Sequence, residues 1–168
     1  GWQELCHGHV KKCVSKLIDK DMVLFKEKLN LKPPGGACFC PHFDTPSLRV
    51  AFGKDGPQTF VTVMIAIDDM TSRNGCLRVC KGPWSSRNHN PTIAGEADGN
   101  PDGEGRQGAI SICFAENQIY EELPCIGGKM IVFDGWCPHR SSINTTHFPR
   151  RAVFLTYNPS REGYFHDK

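Results

Sequence analysis

The stretch Ala37-Cys-Phe-Cys-Pro-His-Phe-Asp44 follows a turn of two prolines and two glycines, and its composition predicts an extended strand. Alternate side chains of a strand share a face, so Cys40, His42 and Asp44 are expected on one side. Together with a second imidazole from elsewhere, His42 and Asp44 would form the facial triad of a non-haem Fe(II) site. With seven His and 18 acidic residues in 168 positions, about 0.7 His-x-acid tripeptides are expected by chance, so the rest of the chain must support this reading.

Several other short segments have strand character and are bounded by turn residues. They are Met22–Leu31, Thr59–Ile67, Cys76–Cys80, Ala109–Phe114, Lys129–Phe133 and Ala152–Tyr157. Before them, apolar residues at spacings of three and four between Trp2 and Ile18 predict one amphipathic helix packed on the outside of a sheet. Many short strands after a single helix are typical of a mainly β sandwich or barrel, and a jelly roll fits the pattern.

The bulk properties predict one globular domain over residues 1–168, with 39% hydrophobic and 23% charged residues. A net charge of +2 without a basic cluster argues against a nucleic-acid partner, and no apolar run approaches the ~20 residues of a membrane span. Nine cysteines at irregular spacings indicate reduced thiols in an intracellular protein. The cytoplasm is the expected location, with a peroxisome or mitochondrion left open.

The segment 85–108 differs from the rest of the chain because Asn, Pro, Gly, Asp, Glu and Arg dominate it. So few apolar residues predict a long surface loop. Two interpretations stay open for this loop, a lid over a pocket or a disordered segment.

Three separated blocks around the His-x-Asp tripeptide carry a family resemblance. They are Phe25–Gly36, Asp68–Leu77 and Gly127–Asn144, the last followed by Arg150. In order and spacing they resemble the phytanoyl-CoA dioxygenase (PhyH) family of Fe(II)- and 2-oxoglutarate-dependent oxygenases, from about Asp21 to about Gly163. The resemblance implies a double-stranded β-helix, the cupin-like jelly roll. The family commonly has more chain before this part and the first residue is Gly, so three interpretations stay open: a fragment without its N-terminal residues, an isoform or a processed chain.

The resemblance also implies Fe(II) as metal, with 2-oxoglutarate and O2 as co-substrates. The candidate site residues, in chain order, are Lys28, His42, Asp44, Thr62, Met64, His139, Ser141 and Arg150. His42, Asp44 and His139 would bind the metal, and Arg150 would grip the distal carboxylate of 2-oxoglutarate with its planar guanidinium. Ser141 and Lys28 are implied contacts of the same co-substrate. Thr62 and Met64 share a strand face and are candidates for the pocket wall.

The implied reaction is hydroxylation of an unactivated C–H bond of a small organic substrate, with release of succinate and CO2. A small polar or zwitterionic metabolite, such as an amino acid derivative or an aminophosphonate, is favoured over an acyl-CoA. An alternative is a catalytically inactive jelly-roll module that binds a metal or ligand as part of a larger protein. Cys38, Cys40 and Cys137 raise the further alternative of structural zinc, although their spacing does not match common zinc modules. Their role and the oligomeric state are left open.

Overall fold

The computed structural model describes residues 1–50, 57–82, 84, 110 and 115–163. The chain begins with a π-helical segment (Glu4–Val10) that continues into helix α1 (Lys11–Ile18), and a second helix, α2, spans Asp44–Val50. Single 3-10 turns lie at Ser72–Asn74 and Ser160–Glu162. The strands are β1 (Met22–Lys32), β2 (Phe39–His42), β3 (Val61–Ala66), β4 (Leu77–Cys80), β5 (Tyr120–Leu123), β6 (Met130–Asp134), β7 (His139–Ser141) and β8 (Arg150–Pro159).

The strands form two antiparallel sheets of four strands each. Their orders are β1-β8-β3-β6 and β2-β7-β4-β5. Most connections cross from one sheet to the other, as in a jelly roll, whereas β4 and β5 follow each other in the chain and pair in the same sheet. The predicted mainly β jelly roll with an N-terminal helix is confirmed.

The N-terminal helical region packs on the outer face of the first sheet, as the sequence predicts. Cys6, Val10 and Val14 are buried at a constant spacing of four and join a cluster with apolar residues of β1, β3 and β8. Tyr157 of β8 donates from its hydroxyl to the carbonyl oxygen of Cys6 at 2.7 Å, which anchors the helix to the sheet. Leu17 has the predicted helical spacing but is 64% exposed, since it lies away from this stripe.

The inner face of the first sheet is less uniformly apolar than its outer face. On β3, Val61 and Val63 belong to the cluster under the helix, whereas Met64 belongs to a second cluster between the sheets. Because side chains alternate along a strand, Thr62 shares the inward direction of Met64. The predicted common face of Thr62 and Met64 is therefore present, and both are buried.

The structure corrects the predicted strand at Ala37–Asp44. Strand β2 ends at His42, and Asp44 begins helix α2. The amide of Asp44 donates to the carbonyl oxygen of Gly135 at 3.0 Å, so it has left the strand ladder. An acidic residue in the first turn of a helix is favourable there because free backbone N–H groups lie at the N-terminus.

Other boundaries also differ from the prediction. Strand β1 continues to Lys32, and β5 was missed because Tyr120-Glu-Glu-Leu123 lacks a strand-like alternation. The predicted loop 85–108 lies outside the described residues, and so does the predicted strand Ala109–Phe114 except for Ile110. Within the described ranges, no helix has the length and apolarity needed to cross a membrane.

Candidate active site

Strand pairing brings the two candidate histidines together. In the antiparallel pair of β2 and β7, His42 lies directly opposite His139. Their ring centroids are 4.1 Å apart, and His139 also packs against Phe133 with ring centroids 4.8 Å apart. Two residues that are 97 positions apart in sequence therefore meet through the register of one pair of short strands.

The backbone fixes the orientation of both imidazoles. Nδ1 of His42 lies 2.7 Å from the carbonyl oxygen of Cys40, and Nδ1 of His139 lies 3.0 Å from that of Cys137. A carbonyl oxygen only accepts hydrogen bonds, so each Nδ1 carries the proton and each neutral ring has its lone pair on Nε2. Such outer hydrogen bonds set the tautomer of metal-binding histidines.

Asp44 faces both Nε2 atoms from the start of α2. Its Oδ1 lies 3.9 Å from Nε2 of His42 and 3.6 Å from Nε2 of His139. The second oxygen, Oδ2, accepts a hydrogen bond from Oγ1 of Thr62 at 2.8 Å. Thr62 therefore holds the carboxylate so that Oδ1 points at the imidazoles, a contact that strand alternation alone could not predict.

These three side chains meet the requirements of a metal site. Within the described part of the chain, the one cluster of His, Cys, Asp or Glu that could hold an ion is His42, Asp44 and His139, whose donor atoms lie within 4.8 Å of one another. Two imidazole nitrogens and one carboxylate oxygen are the donor set of the Fe(II) facial triad. Cys38, Cys40 and Cys137 do not enter the cluster, so the structure does not support the structural zinc alternative.

The electrostatics keep His42 available as a neutral ligand. Burial and the neighbouring His139 lower the pKa of His42, and the nearby carboxylate of Asp44 only partly offsets this. A deprotonated imidazole has the free lone pair that a metal needs, so metal binding at neutral pH requires little proton release from His42.

A pocket opens beside the triad between the two sheets. Its lining includes Met64, Phe154 and Thr156 of the first sheet, together with Thr62 next to Asp44. The predicted wall residues Thr62 and Met64 thus both face this pocket. Thr62 in addition bonds a triad member, as described above.

Arg150 lies in the same pocket with most of its hydrogen-bonding capacity unused. The side chain is 2% exposed, and Nη2 donates to the carbonyl oxygen of Gly75 at 2.7 Å. Its Nε and Nη1 atoms are buried and have no partner among the described residues. Buried N–H donors of a cation without a partner favour the binding of an anionic acceptor such as a carboxylate. Arg151 points outwards instead and pairs with Asp68, as alternation predicts.

A second buried cation, Lys32, was missed by the sequence analysis. It is 2% exposed, and its Nζ donates to Oγ of Ser141 at 2.8 Å and to the carbonyl oxygen of Ser142 at 2.5 Å. The predicted strand stopped at Leu31, one residue short. Alternation from Lys28 through Asn30 would have placed Lys32 on the pocket face.

The predicted co-substrate contact Lys28 lines the pocket but is exposed. Lys26 and Asn30 of the same strand also line it, and Lys26 is exposed as well. Both lysines therefore belong to the solvent-exposed part of the pocket lining. Sequence reasoning did not single out Lys26 or Asn30, although both share a strand face with Lys28.

Comparison with known proteins places the chain in a family. The family model of phytanoyl-CoA dioxygenase (PhyH) matches residues 2–152. A 2-aminoethylphosphonate dioxygenase from the uncultured bacterium HF130_AEPn_1 is 35% identical over 98% of this chain and 58% of its own length. A methylphosphonate hydroxylase from Gimesia maris is 31% identical over 99% of this chain and 58% of its own length. The chain therefore spans somewhat more than half the length of these relatives.

Solved structures share the fold at low sequence identity. The epimerase SnoN, in complex with Fe3+, alpha ketoglutarate and nogalamycin RO, superposes with a TM-score of 0.72 at 20% identity over 95% of this chain and 59% of its own. EctD from S. alaskensis, with 2-oxoglutarate and 5-hydroxyectoine, gives a TM-score of 0.67 at 22% identity over 91% of this chain and 50% of its own. With the match of the family model over nearly all of its length, the chain belongs to the phytanoyl-CoA dioxygenase (PhyH) family.

Proposed function

We propose that this chain carries the active site of an Fe(II)- and 2-oxoglutarate-dependent oxygenase that hydroxylates a C–H bond of a small organic substrate. The observation that carries the proposal is the pairing, in one pocket, of the His42, Asp44 and His139 cluster with the unpartnered N–H groups of Arg150. Metal ligands alone would suit many metalloproteins. A buried guanidinium with free donors beside them favours a co-substrate that carries both a metal-chelating end and a carboxylate.

Each site residue has a binding or positioning task in this proposal. His42 and His139 would bind Fe(II) through Nε2 and Asp44 through Oδ1, with Thr62 holding the carboxylate. Arg150 would bind the distal carboxylate of 2-oxoglutarate. When bound, the iron together with 2-oxoglutarate and O2 supplies the oxidising power for C–H hydroxylation, and succinate and CO2 are released.

We assign the remaining predicted pocket residues as follows. Ser141 would donate a hydrogen bond to 2-oxoglutarate, and Met64 would form an apolar wall that keeps water from it. The exposed position of Lys28 favours a contact with the substrate over a contact with the buried co-substrate.

The substrate that the pocket suits best is a small anion. Lys26, Lys28 and Arg140 line the pocket around the triad, whereas Asp44 is the one acidic residue of its described lining. Such an excess of cations attracts anions and disfavours neutral or cationic ligands. Two relatives are named for 2-aminoethylphosphonate and methylphosphonate, which supports a small organophosphonate over an acyl-CoA.

An anaerobic titration tests the proposed site. Fe(II) is added to the apo-protein, then 2-oxoglutarate, and the weak visible charge-transfer band of the chelate is recorded. We expect a band in the wild-type protein and none in His42→Ala. Bound iron without a band in the wild-type protein would contradict the proposal and favour the inactive binding module.

Succinate release then tests the substrate class. The protein loaded with Fe(II) and 2-oxoglutarate is incubated separately with 2-aminoethylphosphonate, methylphosphonate or ectoine. Ectoine has no phosphonate group and no net charge. A reaction without substrate is the reference. We expect a phosphonate to stimulate succinate release more than ectoine, and Lys28→Met to raise the KM for that phosphonate. Equal stimulation by all three compounds, or none by the phosphonates, would contradict an anion-selective pocket.

The cysteines support the intracellular location that the sequence predicts. Cys6, Cys76, Cys80 and Cys125 are buried free thiols. Free thiols persist in reducing compartments. We propose the cytoplasm, which cell fractionation with an antibody against the chain would test.

A further inference from the structure

Two buried cations lie close together behind the part of the pocket that the buried residues Ser141 and Arg150 line, which we call its closed end. Lys32 and Arg150 are each 2% exposed, and the positive charge of Arg150 is close enough to disfavour the charged form of Lys32. No ion pair found in the described ranges includes either residue. Buried charges in proteins are nearly always paired. Two adjacent cations without an acidic partner in the described ranges therefore favour the binding of an anion.

Lys32 controls the direction of the Ser141 hydroxyl. An ammonium group has three donors and cannot accept, so its 2.8 Å contact with Oγ of Ser141 is donated by Lys32. The hydroxyl hydrogen of Ser141 must then point away from Lys32. Ser141 lines the pocket together with Arg150, so this hydrogen is available to a ligand at the closed end.

We propose that Lys32 is a positioning residue that orients the Ser141 hydroxyl as a donor and, with Arg150, makes the closed end of the pocket a dicationic site selective for a carboxylate. This inference rests on the proposed function, because the carboxylate in question is the distal one of 2-oxoglutarate. It adds a residue to the site that acts through Ser141, since Lys32 does not itself line the pocket.

Burial of the charged ammonium group of Lys32 is unfavourable, which favours a role in ligand binding over a role in stabilising the fold. Burial and Arg150 lower the pKa of Lys32 to about 8, so the side chain is still mainly protonated at neutral pH. The ammonium group contacts Ser141, the carbonyl oxygen of Ser142 and the ring of Phe39, and its described partners include no carboxylate. A bound carboxylate would neutralise the two cations, and the attraction would be strong in this water-poor end of the pocket.

Binding of two 2-oxo acids to the Zn(II)-loaded protein tests the proposal without turnover. The probes are 2-oxoglutarate and 2-oxopentanoate, which share the metal-chelating end but differ in the distal carboxylate. Isothermal titration is carried out on the wild-type protein, Lys32→Met, Ser141→Ala and the double variant. Lys129→Met, which removes an exposed lysine outside the pocket lining, is the control for the change in net charge.

We expect Lys32→Met to weaken 2-oxoglutarate binding about tenfold and to leave 2-oxopentanoate binding unchanged, so that the preference for the diacid falls about tenfold. Ser141→Ala should have a smaller effect in the Lys32→Met background than in the wild-type protein, since the two residues act together. Lys129→Met should keep the full preference.

Two results would overturn the proposal, and the second would also contradict the proposed co-substrate site. The first result starts from a wild-type protein that binds 2-oxoglutarate. If Lys32→Met then keeps the preference for 2-oxoglutarate over 2-oxopentanoate, or binds both ligands more weakly by the same factor, Lys32 only stabilises the fold. The proposed function would then stand. Failure of the Zn(II)-loaded wild-type protein to bind 2-oxoglutarate at all would remove the co-substrate site and this inference with it.

Discussion

Oγ1 of Thr62 donates a hydrogen bond of 2.8 Å to Oδ2 of Asp44, and this contact joins the middle of β3 to the first residue of α2. The carboxylate would otherwise rotate freely, because no other hydrogen bond to its side-chain oxygens is found among the described residues. Since Oδ2 is occupied, Oδ1 is the oxygen that faces His42 and His139. The orientation of one candidate metal ligand therefore depends on a residue that is not part of the three-residue cluster.

Thr62→Val is expected to weaken metal binding about tenfold or more, because outer hydrogen bonds to metal ligands typically contribute that much to affinity. Valine matches threonine in shape, so the fold should stay intact. The measurement is the Kd of the apo-protein for Fe(II) or Co(II) under anaerobic conditions. Thr156→Val is the matched control, since Thr156 lies opposite Thr62 in β8 and lines the same pocket without bonding Asp44. Equal affinities of the two variants would refute the role of Thr62.

Arg150→Lys is expected to weaken 2-oxoglutarate binding about 10- to 100-fold at an unchanged metal affinity. Lysine keeps the charge but loses the planar pair of donors that a carboxylate can engage together. Arg151→Lys is the control: it alters an exposed ion pair with Asp68, and exposed ion pairs contribute little. Comparable 2-oxoglutarate affinities of the two variants would show that the guanidinium of Arg150 has no special role in binding the co-substrate.

The candidate metal cluster and the inward arginine were predictable because the family resemblance fixes their positions along the chain. Its blocks selected His42 and His139 from seven histidines, and its spacing after His139 selected Arg150. Their placement follows the prediction, although the co-substrate role of Arg150 stays a proposal.

The residues that were not predicted depend on long-range contacts. Asp44 was expected on a strand, but its amide bonds Gly135, which is 91 positions away in the sequence. Lys32 was overlooked because lysine is rarely buried, and nothing local shows that Ser141 and Ser142 supply its acceptors. A contact between elements that are distant in sequence is decided by the fold, and a single sequence carries no direct record of it.

Gly75→Ala is expected to destabilise the protein by about 3 kcal/mol, whereas Gly35→Ala should cost about 1 kcal/mol. Both glycines have positive φ angles, +76° and +69°, so both substitutions strain the backbone. A methyl group at Gly75 would also collide with the carbonyl oxygen of Ser142, while the space around Gly35 is open. Urea unfolding midpoints of the two variants measure the difference.

The same pair of variants separates stability from ligand binding. The carbonyl oxygen of Gly75 accepts the hydrogen bond from Nη2 of Arg150, so a shift of Gly75 also moves the guanidinium. Gly75→Ala should therefore weaken 2-oxoglutarate binding, whereas Gly35→Ala should not. Equal destabilisation by both substitutions would mean that the loop with Ser142 can move away from the added methyl group with little loss of stability.

Lys32 is expected to make the ligand-free protein more stable as the pH rises from about 8 to 10.5. Burial, followed by the charge of Arg150, lowers the pKa of Lys32 from its ordinary value of 10.5 to about 8 in the folded protein. Between these values the unfolded chain binds one proton more than the folded chain, so the free energy of unfolding increases with pH. The contribution of Lys32 over this window is at most about 3 kcal/mol.

Other groups around Lys32 determine how this dependence must be measured. Arg150 stays charged throughout the window, and Cys38 and Cys76 are the thiols whose charge affects Lys32. Burial raises the pKa of Cys76, and a raised thiol pKa lowers the stability as the pH increases, opposite to the effect of Lys32. The quantity to compare is therefore the difference in the free energy of unfolding between the wild-type protein and Lys32→Met, measured by urea unfolding at pH 7, 8, 9 and 10. This difference should shift in favour of the wild-type protein with each step above pH 8, and a constant difference would mean that Lys32 titrates normally in the fold.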